Sequence, residues 1–106
     1  MNTEQLAWII RREGIEMTHL SHGSHIGSVL SVAEIVAILY NEIMTISADN
    51  PRDINRDRFI LSKGHAGVAV YIALAYKGFF PMKILHTQGQ DGTCLSEHIS
   101  CIGVPG

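Results

Sequence analysis

The sequence predicts an α/β fold that is mostly helical and has one clear strand. One observation is an apolar run over about residues 58–62 that leads through a glycine turn into an apolar helix, the order of a strand, a turn and a helix. Another is that two predicted helices carry apolar faces of the kind that cover a sheet. Because one strand is not a sheet, the 106 residues are predicted to form the opening part of a larger α/β domain.

The first predicted helix spans about residues 3–20. Its apolar residues recur near helical spacing, at Leu6, Ile9, Ile10, Met17 and Leu20. Asn2, with Gln5 three residues later, has the pattern of a capping box at the helix start. Gly14 weakens the middle of the helix because glycine is a poor helix former. A polar loop that contains glycine follows over about residues 21–28.

The second predicted helix runs from Ser31 to about Met44. Ser31 and Glu34 have capping-box spacing, which predicts the N-cap at Ser31. One apolar stripe follows, formed by Val32, Ile35, Val36, Leu39 and Ile43. The stripe predicts a helix with one face against the core. A polar connection over residues 47–57 then leads to the strand.

The predicted strand carries consecutive apolar residues at positions 59–61, as expected of a strand buried on both faces. The next helix, over about residues 65–77, is apolar nearly all round, so we expect neighbours on several of its sides. Gly78 fits the C′ position of that helix. A short helix is predicted over about residues 81–87, with Pro81 at its first position. A loop rich in glycine and serine follows.

Composition bears on the class of protein. The net charge of −2 provides no basic face for nucleic acid or for an anionic membrane surface. No basic segment precedes an apolar run at the N-terminus, so no signal peptide is expected. No apolar run approaches the roughly 20 residues that span a bilayer.

Cys94 and Cys101 are expected to stay reduced in a cytoplasmic protein, since a disulfide between them would close a very small loop. Residues 1–106 are predicted to form one partial domain.

The turn between the strand and the apolar helix, Ser62-Lys63-Gly64-His65-Ala66, has the most informative chemistry in the sequence. A helix N-terminus offers backbone N–H groups and the positive end of a dipole to an anion such as phosphate. Gly64 permits close approach of the backbone, and His65 exchanges a proton near neutral pH. Lys63 attracts phosphate as a mobile point charge. The alternatives are an ordinary connection with a capping histidine and a solvated lysine.

Three histidines, His19, His22 and His25, recur at every third position ahead of the second helix. Neutral imidazoles bind zinc, so a small histidine-based metal protein is one alternative. Glycines at positions 23 and 27 interrupt a helix there, and no nearby cysteine completes a zinc site. We therefore expect no metal ligands in this chain, and solvated or hydrogen-bonding histidines instead.

Residues 56–66, RDRFILSKGHA, closely resemble the block RDRFVLSKGHA of the transketolase family. Two further blocks occur in that family's order. Residues 24–31, SHIGSVLS, resemble its SGHPG..LS, and residues 95–98, LSEH, ahead of GVPG at 103–106, resemble its L.GHP…PG. The three blocks cover roughly residues 4–106. The resemblance implies the N-terminal part of a parallel-sheet α/β domain that binds thiamine diphosphate.

The resemblance also implies which residues bind the cofactor. His65 corresponds to a contact of the cofactor diphosphate, and Ser28 to a serine that contacts the cofactor in some members of the family. Lys63 and Gly64, in the same turn as His65, are the other cofactor-binding candidates. The family holds the diphosphate through a divalent cation, Mg²⁺ or Ca²⁺. The family's Gly-Asp-Gly metal motif would lie beyond Gly106, so the cation ligands are expected outside this chain.

His25 and His98 correspond to residues that hydrogen-bond the sugar hydroxyls and help to move protons, which makes them the catalytic candidates. The implied reaction transfers a two-carbon ketol unit between sugar phosphates. The cofactor supplies the carbanion chemistry, while the protein supplies position and electrostatics. Ile26 and Ile99 replace the prolines of the family's two Gly-His-Pro motifs, so two rigid φ values are lost.

The resemblance further implies partners. We expect sugar phosphates as substrates, and either a homo-oligomer or a separate C-terminal subunit, as in a split transketolase. The chain by itself is expected to be inactive, because it lacks the metal motif. The alternative is a non-catalytic interaction or assembly module derived from the same segment of the family.

Overall fold

The computed structural model describes residues 1–90, 92–96, 99 and 104–106. The described part contains four α-helices: α1 (Thr3–Ser21), α2 (Ile26–Ile38), α3 (Gly67–Tyr76) and α4 (Met82–Leu85). A π-helical turn, Leu39–Ile43, extends α2, and a 3-10 turn, Gly64–Ala66, precedes α3. Helices α1, α2 and α3 pack on one another around one apolar core, and α4 packs on α3.

Helix α1 begins with the predicted capping box. The N–H of Gln5 donates to Oδ1 of Asn2 at 2.8 Å, and the N–H of Asn2 donates to Oε1 of Gln5 at 2.9 Å. Gly14, inside this helix, has a packing role. A Cβ at that position would lie 2.9 Å from Cγ1 of Val29 on α2, closer than side chains pack in proteins. The glycine that weakens α1 in isolation therefore lets α1 and α2 cross closely.

Helix α2 does not begin at Ser31, as the capping pattern predicts, but at Ile26. The residue before it, His25, has a left-handed backbone with φ 70°. The N–H groups of Ser28 and Val29 close the first turn by donating to the His25 carbonyl at 3.0 and 3.4 Å. The Ser31 hydroxyl donates to the Ser28 carbonyl instead of capping a helix. The earlier start follows from tertiary packing, because Val29 is buried against α1.

The end of this helical segment lies where the sequence predicts it, since the N–H of Met44 donates to the Leu39 carbonyl at 2.8 Å. Helix α2 and the π-helical turn together span Ile26–Ile43, which is 18 residues with a mean hydropathy of 1.6, of which 28% are buried. By length and composition alone this helix is apolar enough to cross a membrane, which corrects the expectation that no segment approaches that length. A core helix meets the same criterion, and Ala33 and Val36 of this helix are fully buried in the helical core.

The predicted strand at residues 58–62 does not form, and the described residues contain no β-strand. Phe59 and Leu61 are partly buried against the core, whereas Ile60 is 88% exposed. The prediction of burial on both faces is therefore wrong for this chain. The physical reason is that a strand is defined by hydrogen bonds to a partner strand, which the described part of the chain does not supply.

Helix α3 has the predicted neighbours on several sides, because α1, α2 and α4 all pack on it. It ends in a Schellman motif, in which the N–H of Phe79 donates to the Leu74 carbonyl at 2.9 Å and that of Gly78 to the Ala75 carbonyl at 3.0 Å. Gly78 has φ +89°, which confirms its predicted C′ position. Pro81 occupies the N-cap of α4 instead of its first helical position, and α4 is shorter than predicted.

Candidate functional site

Two connections bring His25 and His65 together at the surface. His25 immediately precedes α2, and His65 lies in the 3-10 turn that leads into α3. The centroids of their imidazole rings are 4.1 Å apart, with an interplanar angle of 49°. Two sequence blocks that are far apart in the chain thus contribute one histidine each to the same place. This pair is the centre of the candidate site.

The backbone at His25 is held in an unfavourable conformation. A left-handed φ costs a residue other than glycine about 1–3 kcal/mol, and such residues cluster at functional sites. The connection from α1 is fixed on one side by the N–H of Gly23, which donates to the Thr18 carbonyl at 3.1 Å. It is fixed on the other side by the first turn of α2, which closes on the His25 carbonyl. The surrounding structure thus fixes the backbone of His25 on both sides.

The two histidines line a narrow cleft of about 20 Å³. Its other lining residues come from the end of α1, the α1–α2 connection, α3 and the segment after α4: Thr18, Ser21, Gly23, Ser24, Val68 and Gln88. This volume is about that of one water molecule. A ligand larger than a water molecule does not fit inside this cleft.

The other cofactor-binding candidates surround this pair. Gly64 opens the 3-10 turn, which closes when the N–H of Ala66 donates to the Lys63 carbonyl at 2.9 Å. Nζ of Lys63 donates to the Ser31 hydroxyl at 2.6 Å, joining this turn to the first turns of α2, where Ser28 lies half-buried. The capping pattern at Ser31 gives no indication of this contact with Lys63.

His98, the second catalytic candidate, lies outside the described residues, and so does Cys101. The segment that leads towards His98 is firmly held up to Ser96. The buried Tyr71 donates its hydroxyl to the Ser96 carbonyl at 2.8 Å, and the N–H of Gly89 donates to the Leu95 carbonyl at 3.1 Å. Burial raises the pKa of Tyr71, so its hydroxyl stays protonated and able to donate at neutral pH.

A buried carboxylate, Glu13 on α1, forms a second polar cluster. It accepts hydrogen bonds from Tyr76 at 3.1 Å, Arg12 at 3.2 Å and Nε2 of His86 at 3.1 Å. Burial alone would raise the pKa of Glu13, but the hydrogen bonds from His86, Tyr76 and Arg12 outweigh it and hold that pKa below its ordinary value. In sequence Glu13 resembles any surface carboxylate of a helix, so only the fold reveals this cluster.

The described residues hold no group of three or more histidines, cysteines or carboxylates placed to bind one metal ion. His19 and His22 line a separate open pocket of about 440 Å³ at the end of α1, together with Ile15 and Ile26. His25 faces His65 instead. The alternative of a metal site built from His19, His22 and His25 is therefore not supported by their placement.

Comparisons with known proteins identify relatives of the chain. The family model of the transketolase thiamine diphosphate binding domain matches residues 2–92. A 6-deoxy-6-sulfo-D-fructose transketolase subunit from Clostridium sp. (strain MSTE9) is 41% identical over 98 residues, which cover 92% of this chain and 36% of that protein. An apulose-4-phosphate transketolase subunit from Phocaeicola vulgatus is 38% identical over 96 residues, 91% of this chain and 34% of that protein. The chain thus spans about a third of the length of these curated relatives.

A solved structure agrees with these sequence matches. Transketolase from Leishmania mexicana resembles the whole of this chain with a TM-score of 0.91 and 28% identity, over 16% of its own length. The helices described above are therefore arranged as in a transketolase. From the family match, the sequence identities and this likeness, the chain belongs to the transketolase family, within its thiamine diphosphate-binding domain.

Proposed function

We propose that this chain is the N-terminal portion of a transketolase-type transferase, which moves a two-carbon ketol unit between sugar phosphates with thiamine diphosphate. The observation that carries the proposal is the pairing of His25 and His65, whose rings meet at 4.1 Å although they come from separate motifs. The names of two relatives support a split enzyme, because each is called a transketolase subunit. The partner proposed here is a C-terminal transketolase subunit, a second copy of the chain, or both.

The donors around the 3-10 turn fit a diphosphate. Lys63 contributes an ammonium group, His65 an imidazole, and Gly64 a backbone without a side chain to block approach. Ser28 adds a hydroxyl from the first turn of α2. These groups are positively charged or donate hydrogen bonds, as an anionic ligand requires. We propose that the four residues hold the diphosphate, with cation ligands that lie outside this chain.

His25 has a different proposed role. When bound, thiamine diphosphate supplies the carbanion chemistry of ketol transfer. The reaction then needs protons to move at the hydroxyl and carbonyl oxygens of the sugar, and imidazole titrates in the right range for this. The His25 backbone is fixed on both sides and its ring contacts that of His65, which supports a defined position for the imidazole. His98 is proposed to share this work.

We propose that a partner completes the binding site. Exposed apolar side chains on the surface of the chain support association with such a partner. Large apolar side chains are exposed on several elements, among them Trp8 on α1, Ile35 on α2, and Ile60. Exposed apolar groups of this kind mark interfaces when they are contiguous. We also propose a cytoplasmic location, in which the exposed thiol of Cys94, unpaired within the described residues, would stay reduced.

The proposal is tested by separating cofactor binding from turnover. We expect His65→Ala, in the complete enzyme, to weaken thiamine diphosphate binding by roughly ten- to a hundredfold, since hydrogen bonds to charged groups contribute about 1.5–3 kcal/mol. His25→Ala should keep cofactor binding and lose most of the ketol-transfer rate. Calorimetry and a coupled assay measure the two effects.

Two results would overturn this proposal. If His65→Ala binds cofactor normally but melts at a lower temperature, then His65 is only a structural cap. If the wild-type chain assembles with its partner but the complex binds no thiamine diphosphate, then the chain is a non-catalytic assembly module.

A further inference from the structure

Ser31 connects two parts of the candidate site. Its hydroxyl lies 2.6 Å from Nζ of Lys63 and 3.0 Å from the carbonyl oxygen of Ser28. An ammonium group only donates and a carbonyl only accepts, so the direction of both hydrogen bonds is fixed. Lys63 donates to Ser31, and Ser31 donates its single proton to Ser28.

The contact between Ser31 and Ser28 alone has an ordinary explanation, because serine hydroxyls inside helices often bond a carbonyl one turn earlier. The contact with Lys63 does not follow from helix geometry. Lys63 is 32 residues further along the chain, in the turn that precedes α3. Its ammonium group reaches α2 and donates to one of the two lone pairs of the Ser31 hydroxyl oxygen.

We propose that Ser31 is a positioning residue, which holds the ammonium group of Lys63 beside Ser28 for contact with the diphosphate of the cofactor. This inference rests on the proposed function. Lysine has a long flexible side chain that loses rotamer freedom when its end is fixed. The contact with Ser31 fixes the end of the side chain in the free protein, so less rotamer entropy is lost when the ligand binds. Two of the three ammonium protons stay available for phosphate oxygens.

The main test compares Ser31→Ala with Ser31→Thr, which keeps the hydroxyl. Ser31 is exposed, and alanine favours a helix more than serine does, so Ser31→Ala should fold at least as well as the wild type. We expect it to bind inorganic pyrophosphate and thiamine diphosphate about three- to tenfold more weakly by calorimetry, as for one lost hydrogen bond. Ser31→Thr should restore most of the affinity. A merely structural role of Ser31 would lower the melting temperature, so weaker binding at an unchanged melting temperature indicates that Ser31 positions Lys63.

A second measurement needs neither a partner nor catalysis. The rate at which acetic anhydride modifies Lys63 should rise in Ser31→Ala, because the ammonium group is no longer held. Lys77 is the internal control, since its Nζ donates to Oδ1 of Asn41 at 3.0 Å and does not involve Ser31. Modification of Lys77 should proceed at the same rate in both proteins, as followed by mass spectrometry of peptides.

The outcomes separate this inference from the proposed function. If the wild type binds pyrophosphate and Ser31→Ala binds it equally well, Ser31 does not position Lys63, while the proposed function stands. An unchanged rate of Lys63 modification in Ser31→Ala also overturns the inference. If the complete enzyme with wild-type Ser31 binds neither pyrophosphate nor thiamine diphosphate, the proposed diphosphate site is wrong, and the role of Ser31 is wrong with it.

Discussion

Glu13 and His86 are 73 residues apart in sequence, yet Oε2 of Glu13 and Nε2 of His86 lie 3.1 Å apart. With Tyr76, which also bonds Glu13, they join α1 to α3 and to the residue after α4. A buried carboxylate that binds three donors is costly to remove, because the donors lose their acceptor. One ionised group on α1 therefore links that helix to α3 and to the residue after α4.

We expect Glu13→Gln to lower the free energy of unfolding of the chain by about 1–3 kcal/mol near neutral pH. The folded-state pKa of Glu13 lies below its ordinary value. Its contribution is therefore fully present above the unfolded-state pKa and is lost as pH falls through the folded-state pKa. The difference between wild type and Glu13→Gln should shrink on acidification through that range, as urea unfolding at several pH values would show. Glu16→Gln, an exposed change on the same helix, is the control. A difference that is constant with pH would contradict this assignment.

Gly14→Ala should destabilise the chain, although alanine is the better helix former by about 1 kcal/mol. The added Cβ would meet Cγ1 of Val29 at 2.9 Å, so α1 and α2 would have to move apart. We expect a net loss of about 1–3 kcal/mol, as for other overpacked cores. Gly14→Ala combined with Val29→Ala should recover part of the loss caused by the clash. Thermal unfolding by circular dichroism measures both variants, and a higher melting temperature for Gly14→Ala alone would disprove the close crossing.

Tyr71→Phe should loosen the segment before Ser96 while keeping the core packed. The ring stays buried, but the hydrogen bond to the Ser96 carbonyl at 2.8 Å is lost. We expect faster amide hydrogen exchange at Gly89, whose N–H donates to Leu95, by a factor of about 3 to 10, as for one lost hydrogen bond. Tyr76→Phe removes a hydroxyl from the same helix and should leave Gly89 unaffected. Equal exchange in wild type and Tyr71→Phe would mean that other contacts fix this segment.

At position 25, two substitutions should differ in stability although both abolish activity. Glycine adopts a left-handed backbone without the cost that alanine or histidine has there, so His25→Gly should be about 1–2 kcal/mol more stable than His25→Ala. Both variants should lose ketol transfer in the assembled enzyme, because both lack the imidazole. Melting temperatures and initial rates test the two statements separately. A His25→Gly variant no more stable than His25→Ala would show that the conformation carries no strain.

The parts of this fold that depend on local chemistry were predictable from the sequence. The Asn2–Gln5 capping box and the C′ role of Gly78 involve only neighbours in the chain, and both are confirmed. The start of α2 was mispredicted because burial of Val29 against α1 favours an earlier helical turn than the pattern at Ser31 suggests. The strand at residues 58–62 was mispredicted because pairing is a property of two segments, and one segment cannot reveal it.

In the candidate site too, single residues could be identified from the sequence, whereas the contacts between them could not. Motif residues could identify His25 and His65 separately, but their contact at 4.1 Å depends on how α2 and α3 pack. The link between Lys63 and Ser31 is likewise a product of the fold. Glu13 could not be recognised at all, because its partners Tyr76 and His86 are more than 60 residues away in the chain.

The segment around Ile60 bears on whether separate copies of the chain associate with one another before assembly. Ile60 is largely exposed in a segment that pairs with no strand among the described residues, and unpaired backbone groups of this kind can pair with another copy of the chain. Charged residues stand on both sides of this segment, with Arg58 before it and Lys63 after it. Such flanking charges act as gatekeepers, since stacking copies in register would bring like charges together. Lys63 is therefore both a proposed contact of the cofactor and a charge that opposes pairing of copies at this segment.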